Sequence, residues 1–268
     1  MPAFNPVLRC LALLLFALLA RDAHTQETAS RDLVSTQDPA LQKQLNELVN
    51  SQGWGRQIDN QRMEIALVLL EKDSYRLAML NGHHMLYAAS LPKIAILFAA
   101  MVASQEGTIE IDEALEQDLH DMIRVSCNPC ATRVMKRVGR KRLLDILRRP
   151  QYEFYDDDLY GGLWVGKDYA GAAAHQRDPI RGLSHGANPY QVARIYYHLY
   201  RGTLLDAEHT VMMKDMLSRP GISHKFVRGL SSFDDLELWR KSGTWKNFHS
   251  DSVLVQSPRG DYILVGLI

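Results

Sequence analysis

The chain has 268 residues, 46% of them hydrophobic, enough to bury one large core or two small ones. Lys and Arg number 31, as do Asp and Glu, so the formal net charge is zero. That balance argues against a nucleic-acid partner, and no charge block marks a disordered tail.

In chain order, Arg9 precedes an apolar run, Cys10 to Ala20, that is too short for a stable bilayer anchor. A cationic start, an apolar middle and small residues near Ala20 or Ala23 fit a secretory signal peptide over residues 1–23. The expected location is therefore secreted or periplasmic, with no membrane span once the signal is removed; the alternative is an uncleaved N-terminal anchor. From Pro39 to Val49 apolar residues recur at helical spacing (Leu41, Leu45, Leu48), which predicts an amphipathic helix. Ile65 to Leu70 and Arg76 to Gly82 read as paired strands joined by a tight polar turn. Ile94 to Ala103 would be apolar on every face of a helix and so belongs inside the core.

A helical stretch follows: Leu115–Arg124, Ala131–Val138 and Arg140–Leu147. Tyr152 to Arg181 is rich in Gly and acids and reads as a long loop, a length that inside compact domains is usually functional. Helices resume at Pro189, where a missing N–H costs nothing at a helix start, and again over Glu208–Leu217. The tail returns to strands at Leu236–Lys241, Asp251–Val255 and Tyr262–Ile268. Early and late strands must then meet in one sheet with the helical block inserted between them, an α+β arrangement. The expected division is an α/β part at about 39–95 and 200–268 and a helical part at about 96–199.

Cys127 and Cys130 are the two cysteines outside the N-terminal segment. In an oxidising compartment they can form a short-loop disulfide, and a structural pair, bonded or merely packed, is expected. No His pair stands near them at zinc-ligand spacing. His83, His84 and His249 lack carboxylate or Cys companions at such spacing, so no metal and no cofactor is expected, and His249 reads as a turn residue.

Three short motifs carry the chemistry: Ser90-Leu91-Pro92-Lys93, Ser126-Cys127-Asn128 and Lys241-Ser242-Gly243. Ser90 and Lys93 share one face of a helix. A serine hydroxyl is a poor nucleophile until a base takes its proton, and lysine serves only when burial or a neighbouring cation lowers its pKa. The all-apolar helix would bury Lys93, and Lys241 would supply the second charge. The helix N-terminus offers free amides for an oxyanion. The competing interpretation is an N-cap serine with a solvated lysine. Ser126 either caps the helix near Pro129 or relays a proton to the leaving group, with the Asn128 amide orienting Lys93 or the substrate. Lys241 is read as the last residue of its strand. Gly243 would let a ligand backbone approach, Lys241 and Ser242 would hold a carboxylate, and the Thr244 amide would complete an oxyanion hole. Otherwise Lys241 is an edge-strand lysine that blunts aggregation.

These motifs together resemble the serine β-lactamase and penicillin-binding protein superfamily, and class A β-lactamases most closely. Tyr87-Ala88-Ala89 before Ser90, Val138-Gly139 after the Asn128 motif, and Asn188 to Ala193 followed by Arg201 to Leu205 extend the resemblance over roughly Leu41 to Ile268. It implies a nucleophile Ser90, a base Lys93, a relay Ser126, an orienting Asn128, and substrate binding by Lys241, Ser242, Gly243 and Thr244. It also implies a monomer acting on a β-lactam or peptidoglycan-type small molecule through an acyl-Ser90 intermediate.

The sequence departs from that pattern in several places. Cys127 replaces the usual aspartate, a change expected to bear on local stability more than on chemistry. The segment from Lys93 to Ser126 is short, so part of the helical region is trimmed. The Glu-x-x-x-Asn deacylation signature is absent between Tyr152 and Asn188: Glu153, Asp156, Asp157 and Asp158 come too early, and Asp168, His175 and Asp178 match only in approximate position. Without a base to activate water, an acyl-enzyme forms but hydrolyses slowly. The sequence also stops at Ile268, where the family continues into a helix, so this helix is missing or the sequence is a fragment. A D,D-peptidase and a silent cell-wall ligand-binding module are the rival expectations.

Overall fold

The protein is described from a computed structural model covering residues 32–169, 171 and 173–268. The expected signal peptide lies outside these described residues. The fold is α+β. Helix α1 (Pro39–Ser51) and a short α2 (Gly55–Asp59) precede β1 (Glu64–Leu70), β2 (Tyr75–Leu80) and the two-residue β3 (Leu86–Tyr87). Helices α3 (Lys93–Gln105), α4 (Glu113–Arg124), α5 (Asn128–Val138) and α6 (Arg140–Leu147) follow. The long loop carries only short strands, β4 (Tyr155–Asp156), β5 (Gly161–Gly162) and β6 (Trp164–Val165), before β7 (His185–Ala187). Then come α7 (Pro189–Arg201), α8 (Ala207–Leu217), α9 (Phe226–Leu230), β8 (Glu237–Trp245), β9 (Phe248–Gln256) and β10 (Asp261–Leu267).

Five strands form one antiparallel sheet in the order β2-β1-β10-β9-β8, joining the first two long strands to the last three. Both faces are covered, which is why β1 is buried at every position instead of alternating. Ile65, Leu67, Val253, Val255 and Leu264 face α1 and α9. Ala66, Val68, Ile263 and Val265 face the other way, toward α3 and α7.

Helix α3 is buried from Lys93 through Ala103, as an all-apolar helix must be. It packs against α4, α5, α6 and α8. Side chains such as Phe98, Leu97 and Ile96 are 0% exposed, each contributing roughly 1.5–3 kcal/mol. Helix α7 has Asn188 as N-cap, its side chain accepting from Gln191 N, with Pro189 next. It ends at Gly202, whose φ of 68° suits a residue without a β-carbon.

Two strand expectations need correction. Lys241 does not end its strand: β8 runs on to Trp245, carrying Lys241, Ser242, Gly243 and Thr244 as ladder residues opposite Ser252, Asp251, Ser250 and His249. Accordingly His249 is a strand residue, not a turn residue; it also exchanges backbone hydrogen bonds with Ile268 at 2.8 Å. Among the described residues no helix is long and apolar enough to cross a membrane.

Candidate active site

Three segments meet at the edge of the sheet. The first is the turn leading into α3. The helix proper begins at Lys93 with Pro92 as its N-cap, and Ser90 stands just ahead, in a tight turn where its carbonyl accepts from Lys93 N at 3.2 Å. Ala89, the preceding residue, has φ of 50°, a left-handed conformation that costs a non-glycine residue about 1–3 kcal/mol and points to a constrained turn.

The second segment starts α5. Ser126 has φ of 62°, which turns the chain between α4 and α5. Cys127 takes the N-cap: its sulfur accepts from Cys130 N at 3.1 Å and is disulfide-bonded to Cys130, with Cα atoms 5.3 Å apart. The cysteine thus does an aspartate's capping work and adds a covalent clip.

The third is β8. A β-carbon at Gly243 would lie 2.3 Å from Ala88 O and 2.6 Å from Ser90 N. The close approach expected of a ligand is therefore made by the chain's own Ser90 turn, which seats the Lys-Ser-Gly strand against it.

The amines converge. Lys93 Nζ donates to Ser126 O at 2.6 Å, to Asn128 Oδ1 at 2.7 Å and to Ser126 Oγ at 3.3 Å. Lys241 Nζ donates to the same Ser126 Oγ at 3.1 Å and to Ser242 O at 2.8 Å. Both lysines are buried, at 0% and 1% exposure. Burial pulls Lys93 down to about 7. Burial also pushes Lys241 well below its usual value, and the Lys93 charge adds to that shift. Ser242 is buried and Thr244 half-buried. The structure thus brings together Ser90, Lys93, Ser126, Asn128 and the Lys241–Thr244 strand.

Behind this cluster the strands are locked by polar contacts. Arg240 Nε donates to Asp251 Oδ1 at 2.7 Å in a pair whose side chains are 2% and 0% exposed. Asp251 Oδ2 accepts from Phe226 N at 3.0 Å, tying α9 to β9. Ser252 Oγ donates to Lys241 O at 2.9 Å.

Lys225 was not singled out from the sequence, where it is one lysine in a loop. Its amine donates to Gly243 O at 2.6 Å, Thr244 Oγ1 at 2.9 Å and Ser250 O at 2.9 Å. Burial lowers it to about 8. A hydroxyl that accepts from Lys225 keeps its own proton for another acceptor.

The loop supplies a second unforeseen residue. Tyr169 lies with its ring centre 4.5 Å from Lys93 Nζ and donates its hydroxyl to Ala89 O at 3.1 Å. The carboxylates considered from the sequence are elsewhere. Asp168 is held by Arg140 at 2.8 Å and Asp157 by Arg148 at 2.9 Å. Asp156 accepts from Asp158 N at 2.8 Å, and Asp178 accepts from Ile180 N, Arg181 N and Leu183 N within its own turn. Glu153 and Asp158 are exposed. Among the described residues no carboxylate pairs with Lys93, and no cluster of three His, Cys, Asp or Glu suited to a metal occurs.

No curated protein matches the sequence. Among solved structures the chain is similar to a β-lactamase from Sphaerobacter thermophilus, with 16% identity over 76% of this chain and 81% of that one and a TM-score of 0.61. It is similar to PBP-A at 16% identity, covering 88% of this chain and 89% of that one, with a TM-score of 0.63. The TLA-3 extended-spectrum β-lactamase shares 11% identity over 80% and 88% of the chains, with a TM-score of 0.62. At these identities the likeness speaks for the fold. A family model described as "Beta-lactamase enzyme family" matches residues 114–268, more than half the sequence, and on that match the chain belongs to the β-lactamase enzyme family.

Proposed function

We propose that the protein is a serine acyl-transfer enzyme, class A-like, that opens β-lactam or related acyl-D-amino-acid amide bonds through an acyl-Ser90 intermediate. The observation that carries this reading is the pair of buried amines, Lys93 and Lys241, on one hydroxyl, Ser126, beside the Ser90 turn. Neutral Lys93 takes the Ser90 proton as Ser90 Oγ adds to the carbonyl carbon. Ser126, in contact with both amines, passes a proton to the departing nitrogen. Asn128 fixes the Lys93 amine, Lys241 and Ser242 hold a substrate carboxylate, and the Ser90 and Thr244 amides receive the oxyanion, with Gly243 letting strand and turn close together.

Incubating the protein with benzylpenicillin and weighing it intact tests this reading. One covalent adduct is expected on the parent chain and none on Ser90→Ala. An adduct that persists in Ser90→Ala refutes the nucleophile assignment.

A second reading, a penicillin-binding D,D-peptidase acting on peptidoglycan stems, is favoured by one observation: Lys93 has a tyrosine ring, and no carboxylate, on its loop side. A silent ligand-binding module would give no adduct at all. The signal-like segment at residues 1–23 and the Cys127–Cys130 disulfide support action outside the cytoplasm, secreted or periplasmic.

A further inference from the structure

Acylation and deacylation make different demands on the cleft. In the first step Ser90 Oγ bonds to the acyl carbon, the amide C–N bond breaks, and the Ser90 proton ends on the leaving nitrogen. In the second, a water oxygen bonds to that carbon, the ester C–O bond breaks, and a water proton returns to Ser90 Oγ. The second step needs a free path for water and a base within about 2.6–3.2 Å of it.

Tyr169 touches both the Lys93 amine and the turn that carries Ser90. Its ring covers the loop-facing side of the Lys93 amine at 4.5 Å, while Ser126 and Asn128 take the amine's hydrogen bonds. Its hydroxyl is tied to Ala89 O at 3.1 Å, one residue before the nucleophile. The ring is also backed from behind. His185 packs against it with centres 4.2 Å apart, and His185 Nε2 donates to Lys167 O at 2.8 Å, which fixes the imidazole's orientation. Tyr87 packs edge-on against His185 with ring centres 6.2 Å apart. The neighbouring carboxylate, Asp168, is engaged by Arg140.

We infer that Tyr169 is a shielding residue that keeps water from the acyl-Ser90 ester, so that the protein traps its acyl group instead of turning over. This rests on the acyl-Ser90 reading above. It assigns the slow step to an aromatic ring held in place, and not only to the lack of a carboxylate.

The test follows release of the benzylpenicilloyl adduct by intact mass, alongside the acylation rate and the melting temperature of each variant. Tyr169→Glu should shorten the adduct's life by about 10²-fold, the lower end of what a placed general base supplies. Tyr169→Ala should shorten it by a smaller factor. Tyr169→Phe keeps the ring and should leave the lifetime unchanged, while acylation slows about fivefold through loss of the hydrogen bond to Ala89. A purely structural role would lower the melting temperature without separating the two rates in this way. Folded Ala and Glu variants that release at the parental rate would overturn the inference, as would a parent chain that sheds its adduct within seconds.

A measurement on the parent chain alone makes the test independent of how the variants fold. The native adduct should resist hydroxylamine that strips the unfolded adduct, and equal rates in the two states would also refute the shield. A parent chain that forms no adduct fails the acyl-Ser90 reading itself, a result distinct from any of these.

Discussion

If Lys93 is the base proposed above, the acylation rate at saturating β-lactam should rise about tenfold between pH 6 and pH 8 and then level off, because a lysine accepts a proton only when neutral. The amine is fully buried and lies at about 7. Its neutral fraction therefore goes from about 9% at pH 6 to about 90% at pH 8, whereas a lysine at its usual value near 10.4 is only about 0.04% neutral at pH 7. Burial thus supplies roughly 10³-fold more of the active base, offset in part by the weaker basicity of that base. The assay is stopped-flow acylation by a chromogenic cephalosporin from pH 5.5 to 9.5, with the limiting rate extracted at each pH. Lys93→Ala should lower that rate by about 10²-fold or more and flatten the profile. A rate that climbs tenfold per pH unit past pH 8.5, or a Lys93→Ala protein that retains the bend, would show that another group takes the proton.

Two further results are expected. Asp251→Ala leaves Arg240 charged and unpaired in a site where both side chains are buried, so urea unfolding should show a loss of about 3–5 kcal/mol. A loss below about 1 kcal/mol would mean that solvent reaches the pair. Lys225→Met removes the amine from Thr244 Oγ1 and should weaken substrate binding about tenfold with little change in the limiting acylation rate. Because burial sets Lys225 at about 8, the parent's apparent binding constant should worsen above that pH as the amine loses its proton. An unchanged binding constant in the variant would remove Lys225 from substrate recognition.

Much of the architecture was legible along the chain because it depends on local periodicity. An apolar run with no polar face, Ile94 to Ala103, can only be a central helix, and strands at both ends of a sequence with helices between must share a sheet. The candidate residues of the three motifs were legible too, and the fold does bring Lys93, Ser126, Asn128 and Lys241 together beside the Ser90 turn. Element ends were not: β8 runs four residues beyond Lys241 because its partner β9 extends to Phe248, a fact of pairing and not of propensity.

Composition, periodicity and motif chemistry by themselves determined the α+β class, the buried helix and which side chains are candidates for the chemistry. Tertiary structure alone decided what surrounds them. Tyr169 and Lys225 lie in loops with no periodic pattern, and their partners, Ala89 and Lys93 for one and Gly243, Thr244 and Ser250 for the other, are distant in sequence. The same holds for the pKa of Lys93, which depends on how much water the packed neighbours exclude. Those contacts are set by where the loops close over the core, information that no local stretch of sequence contains.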